Sequence, residues 1–352
     1  MLWTLGLLAV VIGPMGPDAP AHSPQLAAHG SMVALAFGAG HAVYFSRSTD
    51  SGRTFSAPVR VGGGEIVPLT RHRGPRIAFA DSAIVITAVA GKTAAAGEHA
   101  HGLPADGDLF AWRSTDGGKT WSGAVVVNDS PGAASEGLHG LASDGGKRLF
   151  AAWLDKRASG TRLYGSASND AGRTWSNNVL VYESPDSTIC QCCHPSVAFD
   201  QDGCIVVMWR NWLNGSRDLY LARSDDGRHF SAAGKLGEGT WKLNACPMDG
   251  GGLAVTDSGV VTAWRRDHTL FLDRPGAPET AIGEGTDIAI APSGNGVYAI
   301  WTTPAGIVVR APDAEPHPLG AVGRFPSITT IPGQGALAAW ESDGSITIEL
   351  VH

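Results

Sequence analysis

Residues 48–55 read Ser48-Thr49-Asp50-Ser51-Gly52-Arg53-Thr54-Phe55, and the spelling returns at Ser114-Thr115-Asp116-Gly117-Gly118-Lys119-Thr120-Trp121 and Ser168-Asn169-Asp170-Ala171-Gly172-Arg173-Thr174-Trp175. A copy one residue shorter follows at Ser224-Asp225-Asp226-Gly227-Arg228-His229-Phe230. The pattern S-x-D-x-G-x-T-[FW] describes a hairpin turn. The Asp carboxylate takes backbone N–H groups, the Gly adopts positive φ, and the aromatic anchors the loop between strands. Asp50, Asp116, Asp170 and Asp226 are therefore expected to hold turns, not to do chemistry.

Working outward from these turns, short apolar runs of strand length recur: MVALAF (32–37), IVITAV (84–89), LFAAW (149–153), IVVMW (205–209), VVTAW (260–264), VYAIW (297–301) and ALAAW (336–340). Most follow another short apolar run with a Gly, Asp or Ser turn, and most precede a third run such as AVYFSRS or DLYLARS. Units of three or four antiparallel strands cannot cover their own faces, but packed radially they can. The expected fold is all-β: a β-propeller of antiparallel four-stranded blades, seven by count, with six as the alternative. No segment reads as a helix. The seventh unit (325–351) shows three strands, so its outer strand must come from the N-terminal segment or be absent.

The four turns match the Asp-box (BNR) repeat, and over residues 26–352 the chain resembles the sialidase superfamily of β-propellers. That resemblance implies six blades and cleavage of terminal sialic acid by an arginine triad, a Tyr nucleophile activated by Glu, and an Asp acid/base. Propellers of unrelated activity carry the same box, so the box speaks to fold and says little about reaction. Arg71, Arg73, Arg76, Arg210, Arg265 and Arg324 are available for the funnel. The five tyrosines are not: Tyr44, Tyr164, Tyr220 and Tyr298 fall in second or third strands and Tyr182 in an outer one.

If each blade runs from the axis outward, the segments preceding inner strands share one face with the loops joining second and third strands. Ligands of propellers bind around that opening. The segments carry Arg71, His72, Arg73 and Arg76; Glu136 and His139; Cys190, Cys192, Cys193 and His194; Cys246, Met248 and Asp249; and Arg324. A long loop adds Glu98, His99 and His101. Arg71, Arg73, Arg76, Glu136, Asp249 and Arg324 are the expected ligand-binding set.

Cys190-x-Cys192-Cys193-His194, with Cys246-x-Met248 one blade later, offers thiolate, thioether and imidazole, which favour copper(I) or zinc over calcium or magnesium. The expected metal site is Cys193, His194 and Cys246, with Cys192, His139, His72 and Met248 as alternates; copper is the first choice and zinc the second. The competing reading is disulfide bonding, Cys190 or Cys193 to Cys246 or a vicinal Cys192–Cys193 ring. Three functions follow: metal-dependent redox chemistry or metal handling, sialidase-type hydrolysis of acidic glycans, or non-catalytic binding of glycan or protein by disulfide-stapled loops.

The 352 residues carry formal charge −7, 43% hydrophobic and 17% charged residues, and 47 Gly. That composition excludes disorder and coiled coil. The absence of a basic excess excludes nucleic acid as a partner. Met1 to Gly13 is an apolar run too short to span a membrane, and Ala19-Pro20-Ala21 supplies small residues for cleavage. Residues 1–21 are therefore expected to be a signal peptide and 22–352 a single Asp-box propeller domain, exported to periplasm or medium as a monomer. The alternative for the same run is a buried strand that closes the fold.

Overall fold

The computed structural model describes residues 9–97 and 102–352; Glu98, His99 and His101 lie outside the described residues, as do residues 1–8 of the expected leader. The strands form seven four-stranded sheets. Every strand pairs antiparallel with its neighbour, and there is no helix among the described residues. The seven first strands are Ala21–His29, Arg76–Ala80, His139–Ser143, Ser196–Phe199, Gly252–Thr256, Thr286–Ser293 and Arg324–Ile331. Each touches the next, and the last touches the first, so they close a ring around a central channel. The blade count is seven, which sets aside the six implied by the family resemblance.

Second strands are covered on both faces, one by each neighbouring blade. Ala83–Ala90 and Leu149–Asp155 are buried at every position. That explains why they read as unbroken apolar runs and not as the alternation of a half-exposed strand. Trp153, Trp209 and Trp301 are among the largest fully buried side chains.

The seventh blade takes its outer strand from the other end of the chain. Val10–Ile12 pairs antiparallel with Ser345–Val351, Ile12 opposite Ile346 and Val10 opposite Ile348. The Ala21 amide donates to Gly344 O at 2.7 Å. The ring thus takes in residues on both sides of the Ala21–His22 boundary drawn from sequence. A chain beginning at His22 is expected to lose the burial of Ile12, about 1.5–3 kcal/mol. Thermal melting of the shortened and full chains measures this, and identical melting would show the strand contributes nothing.

The Asp-box turns are built as their composition requires. Asp50 Oδ1 accepts from Ser48 Oγ at 2.6 Å and Thr54 N at 2.9 Å, and its Oδ2 accepts from Thr54 Oγ1 at 2.6 Å. In the short fourth box the missing Thr is replaced by His229, whose Nδ1 lies 2.7 Å from Asp226 Oδ2. Each box also seats on the preceding blade. A Cβ on Gly52 would come within 2.7 Å of Leu337 of blade 7, and one on Gly172 within 2.7 Å of Val85 of blade 2. Trp121 of the second box meets Phe45 of blade 1 edge to face, 5.2 Å between centroids.

Hydrogen bonds from Ser48 and Thr54 hold the Asp50 carboxyl at about 2, against an ordinary 3.8, with burial opposing. A depressed acid contributes its stability fully above the unfolded value, and that contribution disappears as pH falls through the folded one. The stability difference between the parent chain and Asp50→Asn is therefore expected to be constant at neutral pH and to shrink between about pH 4 and pH 2. Denaturant melts across that window measure it; a difference independent of pH would refute the assignment.

Candidate functional site

Entering the channel strains the backbone. In six of the seven blades a residue leading into the inner strand has positive φ: Ser23 (54°), Arg71 and His72 (57° and 64°), Gly137 (72°), Met248 (57°), Asp287 (60°) and Phe325 (51°). Inner-strand register slips at His22/Gln25, Thr286/Ala289 and Arg324/Ser327. Bulges of this kind re-aim side chains, and left-handed non-glycine residues persist only where surrounding packing imposes them.

The re-aimed side chains converge on a cavity of about 200 Å³ lined by inner strands of all seven blades, with His72, Arg76, His194 and Asp287 among its walls. His72 Nε2 lies 2.7 Å from Asp287 Oδ1. The His72 ring lies against His194, 4.7 Å between centroids, and meets Phe325 edge to face at 5.1 Å. Arg76, buried, donates Nη2 to His72 O at 2.7 Å and so fixes the main chain that presents the imidazole. Burial opposes ionisation of Asp287, yet the bonds from His72 and Thr286 hold its carboxyl below the ordinary range. Nε2 is thus committed to a carboxylate, and Nδ1 is the ring nitrogen outside that contact.

Neighbouring groups brace this pair. The Asp287 amide donates to Asp249 Oδ2 at 3.0 Å, and Arg265 Nε lies 3.6 Å from the same oxygen. Burial, with the charges of His72 and Arg76 adding to it, pushes His194 well below the usual imidazole range. Its Nε2 faces Gly251 O at 3.2 Å, and because a carbonyl only accepts, the proton sits on Nε2. His194 Nδ1 is buried with no partner.

The residues singled out from sequence separate into groups. His72 and His194 share the channel mouth with Asp249 behind them. Arg71 is exposed beside them. Arg324 pairs with Glu341 at 3.3 Å, and His22 meets that carboxylate at 3.1 Å. Arg73 is turned away, its Nε on Glu136 O, while Lys156 holds the Glu136 carboxylate at 3.1 Å. His139 is buried, with Nε2 2.9 Å from Thr87 Oγ1.

Cys192 and Cys193 lie beside Cys190 and Met248 in a separate buried cluster. His194 points away from that cluster into the channel, and Cys246 is exposed. All five cysteines are free thiols. Burial opposes ionisation of Cys190, yet its contacts with Cys192 and Cys193 and the charges of Arg217 and Arg210 hold it well below the usual thiol range.

Sequence reading missed two members of these groups, Asp287 as the partner of His72 and Cys190 as the centre of the thiol cluster. Asp287 is the second residue of the inner strand of blade 6, at the register slip, as Phe325 is in blade 7. None of the tyrosines lines the channel cavity.

No family model and no curated protein matches the chain. Solved structures do. It is similar to an α-L-arabinanase from Penicillium chrysogenum complexed with arabinobiose (TM-score 0.56, 13% identity, 97% of each chain covered). It is also similar to a PL25 ulvan lyase bound to a GlcA(1-4)Rha3S saccharide (0.57, 12%, 97% of this chain and 96% of that one). A leech intramolecular trans-sialidase complexed with 2,7-anhydro-Neu5Ac matches at 0.55 and 12% identity over 99% of this chain and 70% of that one. At such identities the likeness is one of fold alone: the chain shares the β-propeller architecture of these structures. No helix among the described residues is long and apolar enough to cross a membrane.

Proposed function

We propose that the chain cleaves glycosidic bonds in an acidic glycan at the channel mouth, with His72 as the proton-transferring group and Asp287 as the residue that orients it. The reading is carried by the His72–Asp287 pair, set on strained backbone beside a cavity that every blade helps to line. A base oriented by a carboxylate on its far nitrogen is the arrangement that general acid–base catalysis requires. The anionic substrate is supported by Arg71, exposed next to His72, whose guanidinium suits carboxylate or sulfate. Two of the similar structures hold saccharides bearing such groups.

A sialidase-type Tyr nucleophile finds no support among the channel residues, so His72 takes the central role in this reading. The test is incubation with sialosides, arabinan and uronate-containing sulfated polysaccharides. New reducing ends without an ultraviolet-absorbing product mean hydrolysis, and an unsaturated product means elimination. Binding without cleavage of any of them would favour the non-catalytic alternative and reject the proposal.

Export belongs to the same reading and rests on residues 1–21. Intact-mass analysis of the chain recovered from periplasm or medium tests it. A species beginning at His22 supports a cleaved leader, and retention of Val10 rejects one.

A further inference from the structure

The sulfur atoms of Cys190, Cys192 and Cys193 lie within 4.8 Å of one another. Cys190 Sγ is 3.6 Å from Cys192 Sγ and 3.3 Å from Cys193 Sγ. The three residues are 0%, 6% and 1% exposed, and Met248 from the next blade's loop packs against them. No cysteine lines the channel cavity, so this cluster is separate from the His72 site.

A second observation points to what the thiols hold. Arg217 donates Nη1 to Cys190 Sγ at 2.9 Å and Nε to Leu243 O at 3.2 Å, and its guanidinium lies 4.4 Å over Trp212. Arg210, 2% exposed, donates to the carbonyls of Asp249, Arg217 and Arg265. Among the described residues neither arginine forms an ion pair with a carboxylate. Cationic side chains withdrawn from water without an anion are costly. Asp218 lines a pocket with both guanidinium groups but pairs with neither, whereas Cys190 Sγ accepts directly from Arg217.

We propose that Cys190, Cys192 and Cys193 form a trithiolate site for cuprous copper, with the Met248 thioether at its edge. Sulfur and thioether donors without imidazole or carboxylate select a soft ion. Zinc would call for a fourth thiolate, imidazole, carboxylate or water. Binding displaces the remaining thiol protons, and three thiolates on Cu⁺ carry net charge −2, which the guanidinium groups of Arg217 and Arg210 offset. Around a metal with M–S bonds of about 2.3 Å, sulfurs stand roughly 3.8–4.0 Å apart. The two Cys190 contacts therefore need to open by roughly 0.2–0.7 Å, whereas a disulfide needs two sulfurs to close to about 2.05 Å.

Reduced full-length protein titrated anaerobically with Cu(I) against bathocuproine disulfonate is expected to bind one copper per chain, with a sulfur-only shell in X-ray absorption. Cys190→Ser, Cys192→Ser and Cys193→Ser should each lower affinity by more than about a hundredfold, while Cys204→Ser and Cys246→Ser leave it unchanged. Arg217→Gln keeps every sulfur and should weaken binding about 10- to 100-fold, as loss of groups supporting metal ligands does. This variant keeps the test valid should a core cysteine variant not fold, which melting of the metal-free proteins reveals. The proposal is overturned by sub-stoichiometric copper, nitrogen or oxygen donors in the shell, dependence on Cys204 or Cys246, or tighter binding of zinc. A thiol count showing a disulfide among Cys190, Cys192 and Cys193 in metal-free protein overturns it as well. None of these readouts depends on glycan cleavage.

Discussion

Replacing His72 with alanine is expected to lower glycan cleavage by about 10²- to 10⁴-fold, the usual contribution of a positioned proton-transfer group. The loss should fall on kcat, because in the proposed reading His72 moves the proton and is not the group that holds the saccharide's anionic substituent. Asp287→Asn should cost less: the ring stays packed between His194 and Phe325, but the charge that fixes its tautomer is gone. Since the Asp287 carboxyl is held below its ordinary value despite burial, it stays ionised down into acid. Its contribution is complete above the unfolded carboxylate value and disappears as pH falls through the folded one. Steady-state kinetics of both variants on whichever saccharide the parent cleaves decides the matter. A His72→Ala enzyme as fast as the parent would remove the imidazole from the mechanism.

Gly118→Ala should be strongly destabilising for a single added methyl group. Gly118 has φ +83°, and a Cβ there would overlap the Phe45 ring of the preceding blade. Left-handed backbone costs an L-residue about 1–2 kcal/mol and forced overpacking about 1–3 more. The sum, about 2–5 kcal/mol, corresponds to a drop of roughly 3–7 °C in Tm for a domain of this size. The open counterpart is Gly123, where a Cβ meets nothing within 4 Å; Gly123→Ala is expected to melt like the parent. Equal melting of the two variants would mean that the box turns do not clamp adjacent blades.

Legibility in the sequence followed the range of the interaction. The Asp-box turns were readable because Ser48, Asp50, Gly52 and Thr54 satisfy one another within seven residues. The blades were readable because their strands pair with sequence neighbours, and each pair leaves its trace as apolar runs separated by turn residues. Which loops share a face also followed from strand order alone, and this placed His72, His194 and Asp249 at one end of the channel. Pairings around the ring left no such trace. Asp287 meets His72 across 215 positions, and the short run containing Ile12 reads equally as a leader or a strand until Ile346 and Ile348 are brought beside it.

The cysteines show the same division at shorter range. Composition identified a soft-donor segment, but not which donors would meet. Met248 leans inward from the neighbouring blade, Cys246 two residues earlier stays in solvent, and His194, adjacent to Cys193, turns to the channel instead. Sequence by itself determined the repeating antiparallel blade and its turns, because those rest on hydrogen bonds and side-chain alternation within one unit. Tertiary structure decided the His72–Asp287 pair, the membership of the thiol cluster and the strand that completes the seventh blade. Each of these depends on the closed ring, which brings distant loops to one axis at angles that no local pattern encodes.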